Sequence, residues 1–492
     1  MTNAVNKLKF VDTTLRDGPQ SLWSLRMRTY MMLPVAPILD DAGFEAMEVM
    51  ASPEFKKCVR ELQEDPWERL RLLRQRIKKT PMRFIRGRYN NAFQIEPDAL
   101  VDLWTERLAA HGINEMRLSD PSNTVDSWRK QLKSVQSFGM NVIINLIYTL
   151  SPKHTDEYYA EKARQAAALR PKRLCLKDPG ALITPERVRT LVPIVLANAG
   201  DVPVEFHTHC LTGLGALCTL EAIKLGITYV NTAIPPLAEG SSNPSTFNIT
   251  ANARALGFTP KIDDESLHQV ERHFTAIAEQ EGLPIGRPMA YNYNQYVHQV
   301  PGGMISNFSS QLAKVGMEDR LPAVLEETAR VRAELGYPIM VTPYSQFVGT
   351  QAALHVITGA RYKTITDEVI HYALGWWGEE ESSSINPNIR DIILSSPRAK
   401  ELANRKPEQI TLKEIRQRYG ELGLSDDELL LRISSDKESV DLMRAAGPRN
   451  GYDRQSEPLV ALVERLSAYK SCTQVRVQKD GMSLTIGRRG AV

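Results

Sequence analysis

The chain has 492 residues, 42% hydrophobic and 24% charged, with a formal net charge of +3. That length suffices for two or three domains with ample core, and the charge balance calls for neither nucleic acid nor a membrane surface. No run is apolar for long enough to span a bilayer, the opening MTNAVNKLKF lacks the apolar core of a signal peptide, and Cys58, Cys175, Cys210, Cys218 and Cys472 have no framework spacing, which points to reduced thiols in a cytoplasm.

In chain order, strands are expected at KFVDTT, EAMEVM, MRFIRG, EMRLSD, NVIINLIYT, RLCLKD, VEFHTH and YVNTAI. Between them lie helical patterns such as DPWERLRLLRQRI, DALVDLWTERLAAHG and PERVRTLVPIVLANAG. Thr184 followed by Pro185 marks one helix start, because threonine caps and proline suits the first helical position. Strand–helix alternation over roughly 240 residues fits a (β/α)8 TIM barrel of about 250 residues, assigned to 1–290. The Pro-Gly turn QVPGGMISN opens a mostly helical domain over 291–440, with EDRLPAVLEETARVRAELG and QFVGTQAALHVITG among its patterns. A Gly/Pro/charge-rich linker follows at 441–455. Over 456–492, PLVALVERLSAYKS reads as a helix and TQVRVQKDGMSLTIGRR as two strands around Lys479-Asp480-Gly481, a hairpin signal. The expected fold class is α/β: a TIM barrel, a helical domain and a small C-terminal helix-hairpin.

Polar residues stand where the strands stop: Asp17, Arg86, Asp120, Lys177, His207, His209 and Thr232. In such barrels the C-terminal strand ends carry the chemistry. Asp17, in FVDTTLRDGPQS, reads either as half of an ion pair with Arg16 or as a group aimed into a site, and the shared rim favours the second. His207 and His209 are two residues apart on a strand, so both imidazoles share a face. Alone, His-x-His is weak; with Asp17 it suits a divalent ion such as zinc, manganese or cobalt. Lys177 ends the apolar strand RLCLKD. It reads as a partner of Asp178, or as a buried neutral amine that takes up CO2 and becomes, as a carbamate, the fourth ligand. The second reading needs a depressed pKa.

These residues resemble the carboxyltransferase subunit of biotin-dependent enzymes: pyruvate carboxylase, the oxaloacetate decarboxylase α subunit and the transcarboxylase large subunit. The matching stretches include DTTLRDGPQS, YTLSPKHT, LKDPGALITP, HTH, VPGGMISN, ARVRAELGYP and VTPYSQFVGTQA, in order over roughly residues 8 to 380. The resemblance implies that Asp17, His207 and His209 hold a metal, with carbamylated Lys177 as the fourth ligand. It implies that Arg16, Gln20 and Arg86 hold a 2-oxo acid and that the Thr342 hydroxyl shuttles a proton between biotin and the substrate. It also implies that Ser345 and Gln346 line the biotin pocket and that the helical domain completes the active site. Biotin would arrive on a separate carrier protein, with a biotin carboxylase subunit as a further partner and a homodimer or larger assembly.

The chain departs from the family pattern at Lys56, Arg88, Phe93, Cys210 and Tyr344. Two added cations, Lys56 and Arg88, would suit an acceptor more anionic than pyruvate; the alternative is drift around the site. The C-terminal segment reads as a docking element for a carrier or as a helix-hairpin packed on its own domain. DTTLRDG with HTH also opens the isopropylmalate synthase and hydroxymethylglutaryl-CoA lyase barrels, so an acyl-CoA enzyme is the first rival. A non-catalytic scaffold is the second.

Overall fold

The computed structural model describes residues 7–90, 95–300, 312–313, 316–405, 408–419 and 423–447, and the backbone of 474–479 and 482–487. Eight parallel strands close into a barrel in sequence order: β1 (Lys9–Asp12), β2 (Ala46–Ala51), β3 (Met82–Arg86), β4 (Glu115–Leu118), β5 (Asn141–Ile147), β6 (Arg173–Asp178), β7 (Val204–Thr208) and β8 (Tyr229–Thr232). β1 pairs with β8 from Lys9↔Tyr229 to Asp12↔Thr232, which closes the ring. All eight expected strands are present, and the (β/α)8 fold is as read from the sequence. The Thr184 cap is there too: its hydroxyl accepts from the Arg187 N–H at 3.1 Å, with Pro185 first in the helix Pro185–Ala199.

Most of the apolar strand residues face outward, with Ile85, Ile143 and Ile147 at inward registers. Phe84, Met116, Leu118, Ile144, Leu146, Leu174, Leu176, Phe206 and Val230 are buried under the helical layer. The interior is not the usual stack of branched aliphatic side chains. It is a ladder of ions. The Arg83 guanidinium donates to Glu205 Oε1 (2.7 Å) and to Glu115 Oε2 (2.9 Å). Arg173 donates to Glu205 Oε2 and Glu115 Oε2, both at 3.1 Å. Arg117 donates to Glu48 Oε1 at 2.5 Å. Three guanidinium groups thus meet three carboxylates, all six at most 1% exposed. The alternation places these charges at inward positions, where they neutralise one another together with Arg16, Lys172 and Glu45 at the ends of the ladder.

Glu205 is the centre of this ladder, taking bonds from Arg83, Arg173 and Asn231. Burial works against its charge, but Arg83, Arg117 and Arg173 hold the carboxyl far below its ordinary range. It therefore contributes stability that is present above the ordinary glutamate pKa and is lost as pH falls toward the depressed value. Glu205→Leu removes a carboxylate that Arg83 and Arg173 share, leaves the ladder with excess buried positive charge, and should cost about 3–5 kcal/mol. The expected result is a lower urea midpoint at unchanged m-value; a loss under about 1 kcal/mol would show the ladder to be dispensable.

Beyond the barrel, the helices Leu321–Glu334, Tyr344–Thr358 and Asp367–Ala373 pack around Val324, Val331, Phe347, Val348, Tyr372 and Trp377. The helix Lys437–Ala446 runs into the stretch read as a linker over 441–455: Asp436 caps it by accepting from the Ser439 N–H (2.8 Å), and Val440 and Met443 are buried. Residues to Gly447 form one compact unit and Pro448–Val492 a second. In the second, β9 (Gln474–Lys479) and β10 (Met482–Gly487) pair antiparallel from Lys479↔Met482 to Gln474↔Gly487. The expected helix at 458–471 and the Asp480-Gly481 turn lie outside the described residues, as do Phe93 and most of QVPGGMISN.

Candidate active site

At the carboxyl ends of β1 and β7, Asp17, His207 and His209 converge. Asp17 Oδ2 lies 3.2 Å from His207 Nε2 and 3.4 Å from His209 Nε2, and the two Nε2 atoms are 3.2 Å apart. Asp17 opens the short helix Asp17–Leu22 directly after β1. His207 is in β7 and His209 one residue past its end. All three are buried.

The tautomers follow from the neighbours. Asn231 Nδ2 donates to Glu205 Oε1 (2.8 Å), so its Oδ1 faces His207 Nδ1 at 2.7 Å and that nitrogen carries the proton. His209 Nδ1 faces the Ser241 carbonyl at 2.6 Å and likewise carries one. Each Nε2 is thereby turned toward the Asp17 carboxylate. Burial and the Arg117 guanidinium push His207 down to about 3, so it is neutral. Burial opposes the Asp17 charge, but the Arg16 guanidinium holds its carboxyl well below the usual range. Two imidazole nitrogens and an ionised carboxylate, atoms within 4.8 Å of one another, are a donor set that fits a borderline divalent cation.

Lys177 pairs in register with His207 and with Ile147, and both Lys177 and His207 lie at inward positions. Its Nζ donates to Ser119 Oγ at 3.2 Å. Asp178 faces the other way, accepting from the Leu182 and Ile183 N–H groups and the Thr208 hydroxyl. The Lys177–Asp178 pair weighed from the sequence does not form. Burial, with Arg117 and Arg16 nearby, pushes the Lys177 amine down to about 8.

Arg16 donates to Asp17 Oδ2 (2.9 Å), Gln20 Oε1 (3.1 Å) and Glu48 Oε2 (3.0 Å). Both readings of the Arg16–Asp17 pair thus hold at once: they are ion-paired, and Asp17 faces the imidazoles. Gln20 is exposed beside them.

Two other expected site residues are not brought to this cluster. Arg83 faces into the barrel, so Arg86, three residues on, faces out; it is buried against the helix Asp98–Ala110, where Nη1 donates to Thr105 Oγ1 at 2.7 Å. Arg88 is taken by Asp120 (2.8 Å), Ser122 Oγ (2.7 Å) and the Trp377 carbonyl. Tyr344 packs among Phe347, Tyr372 and Trp377. Arg88 and Tyr344 thus join the barrel to the helical layer and do not add charge to an acceptor pocket. Lys56 is half-buried, and burial and Arg60 lower its pKa. Thr342 is exposed in the turn before the helix Tyr344–Thr358, Ser345 is buried, and Gln346 has its Oε1 enclosed without a partner among the described residues.

The sequence reading missed Glu48, Arg117, Asn231 and Asn243. Glu48 holds both Arg16 and Arg117. Asn243 Nδ2 donates to the Thr208 carbonyl (2.8 Å) and lies 3.3 Å from His207 Nε2. Charged residues two apart in EMRL, and a glutamate two before His207, were the available signal for an ionic barrel interior.

The fold and this cluster define a (β/α)8 protein with a carboxylate–imidazole site on its catalytic rim. Residues 7–273 match the HMGL-like family and 296–452 the conserved carboxylase domain. The chain is 38% identical over 391 residues to a pyruvate carboxylase subunit of Methanocaldococcus jannaschii, covering 79% of this chain and 68% of that one. It is 33% identical to the 2-oxoglutarate carboxylase large subunit of Hydrogenobacter thermophilus (76% and 58% covered). It is 31% identical to the methylmalonyl-CoA carboxyltransferase 5S subunit of Propionibacterium freudenreichii subsp. shermanii (75% and 73% covered). The carboxyl transferase domain of Rhizobium etli pyruvate carboxylase, solved with oxamate and biotin, superimposes with a TM-score of 0.81 at 24% identity, covering 91% of this chain and 79% of that one. The chain belongs to the family of biotin-dependent carboxyltransferases. The barrel alone is shared with the HMGL-like enzymes; the match over 296–452 sets it apart from the acyl-CoA rival.

Proposed function

We propose that this chain moves a carboxyl group between carboxybiotin, carried on a separate protein, and a small 2-oxo acid such as pyruvate. The observation that carries this reading is the Asp17–His207–His209 cluster with the buried amine of Lys177 in register beside it. Asp17, His207 and His209 would hold a zinc, manganese or cobalt ion, with Lys177 completing the set as a carbamate. When bound, that ion supplies positive charge to the enolate oxygen of the acceptor. Arg16 Nη1 and Gln20 bind and orient the acceptor. The Thr342 hydroxyl moves the proton: the carboxybiotin C–N bond breaks, the freed ureido nitrogen receives the proton that the acceptor's methyl carbon gives up, and that carbon bonds to CO2. Ser345 and Gln346 line the biotin side. Exclusion of water preserves the CO2.

Arg88 stands engaged by Asp120 and Ser122, so of the two added cations Lys56 is the one that supports a more anionic acceptor, and pyruvate or oxaloacetate needs neither. Because relatives are named as subunits, a biotin carrier and a biotin carboxylase subunit are the proposed partners, in a dimer or larger assembly. No helix among the described residues is long and apolar enough to cross a membrane, and Cys58, Cys175, Cys210 and Cys218 are buried and free; a cytoplasmic location is part of the same proposal.

The test is oxaloacetate decarboxylation by the purified chain with and without free biotin, beside metal analysis. The expected result is biotin-stimulated pyruvate release with about one metal ion per chain. Bound metal with acyl-CoA cleavage and no response to biotin would reinstate the lyase reading.

A further inference from the structure

The ARVRAELGYP and YTLSPKHT stretches meet in space, and none of the roles assigned to the site uses them. Arg332, in the helix Leu321–Glu334, is 5% exposed. Its Nε donates to the Pro338 carbonyl at 3.0 Å, and its Nη2 donates to Thr149 Oγ1 (2.9 Å) and the Leu150 carbonyl (3.0 Å). Gln299 closes the same knot, its Oε1 accepting from Thr149 Oγ1 (3.0 Å) and its Nε2 donating to the Leu150 carbonyl (3.0 Å). Among the described residues Arg332 pairs with no carboxylate. A buried guanidinium bonded only to a hydroxyl and carbonyls is costly to keep for stability alone.

Both segments it holds lead to proposed reacting groups. Pro338 stands four residues before Thr342. Thr149 follows Tyr148, whose N–H donates to the Lys177 carbonyl at 2.7 Å. We propose that Arg332 is a positioning residue for carboxyl transfer, tying the segment that presents the Thr342 hydroxyl to the barrel rim at Lys177. Only a planar fork reaches acceptors on both segments; an ammonium is one point and must give up one side. The inference rests on the assignment of Thr342 as the proton carrier.

Arg332→Lys and Thr149→Val are compared with Thr342→Ala in biotin-stimulated oxaloacetate turnover by the full chain, with metal content and urea stability measured alongside. Arg332→Lys should keep metal and KM and lose about 10- to 100-fold in kcat, as a misplacement of about 1 Å does. Thr149→Val should lose less in kcat at the same KM, and the double variant should fall no further than Arg332→Lys. Hydrogen exchange should quicken at 339–341 in both single variants. If Thr342→Ala is inactive while Arg332→Lys turns over at the wild-type kcat, the positioning role is wrong and the proton carrier stands. If Thr342→Ala is fully active, the reading beneath it fails and takes the inference with it. A loss confined to stability and metal content, with kcat per bound metal unchanged, makes Arg332 a merely structural residue.

Discussion

Lys177→Ala is expected to leave a folded chain that holds no metal and transfers no carboxyl group. The reason lies in where Lys177 stands. It is in register with His207, inside the barrel, and burial together with Arg117 and Arg16 lowers its amine from 10.5 to about 8. An amine so placed is neutral in a large fraction of molecules at mildly alkaline pH, which CO2 uptake requires. The ammonium first gives up one proton; the neutral amine then forms an N–C bond to CO2 with loss of a second, so a cation becomes an anionic oxygen donor. Without it the cluster has three ligands and one carboxylate, a weaker hold on the ion. Metal occupancy in the wild type should therefore rise with bicarbonate, and with pH up to a plateau above about 8. The sign of the linked stability is the same: between about 8 and 10.5 the unfolded chain binds the proton that the folded one has released, so stability grows with pH across that window. Metal analysis of Lys177→Ala and a carbon-13 carbamate signal in the wild type check this. Retained stoichiometric metal in the variant would remove Lys177 from the ligand set.

Periodicity made much of this molecule legible. Eight apolar runs at helix-length spacing fit a parallel barrel, and period two put both imidazoles on one face, where their Nε2 atoms lie 3.2 Å apart. Parity also held information that went unused. Arg83 and Arg86 are three residues apart in one strand, so they cannot share a face. Which of them turns inward depends on Glu115 and Glu205, which lie 32 and 122 residues away from Arg83. Nothing local in MRFIR reveals those partners. Arg88 is the same case. It read as an added cation because Asp120 is 32 residues downstream, and the Trp377 carbonyl that fixes its direction is 289 away. Rim residues were identifiable by chain position; the direction each side chain takes is set by long-range pairing, and pairing is what a single sequence hides.

Thr342→Ala should reduce carboxyl transfer by about 10³-fold, within the range for loss of a positioned proton carrier, while metal content and fold are unchanged. The side chain is exposed in the turn ahead of the helix Tyr344–Thr358. Removing an exposed hydroxyl and methyl costs no more than about 0.5 kcal/mol of stability, so an activity loss cannot be blamed on unfolding. Nor does Thr342 belong to the Asp17–His207–His209 cluster, so metal analysis should not move. Thr342→Ser keeps the hydroxyl and should recover most of kcat; Thr342→Val keeps the shape without the hydroxyl and should not. Binding of the acceptor rests on Arg16 and Gln20 in this reading, so the loss should fall in kcat with KM for oxaloacetate little changed. A valine variant as active as the serine variant would mean that the hydroxyl carries no proton, and the carrier would then have to be sought among groups on the barrel rim, Lys177 and Ser119 first.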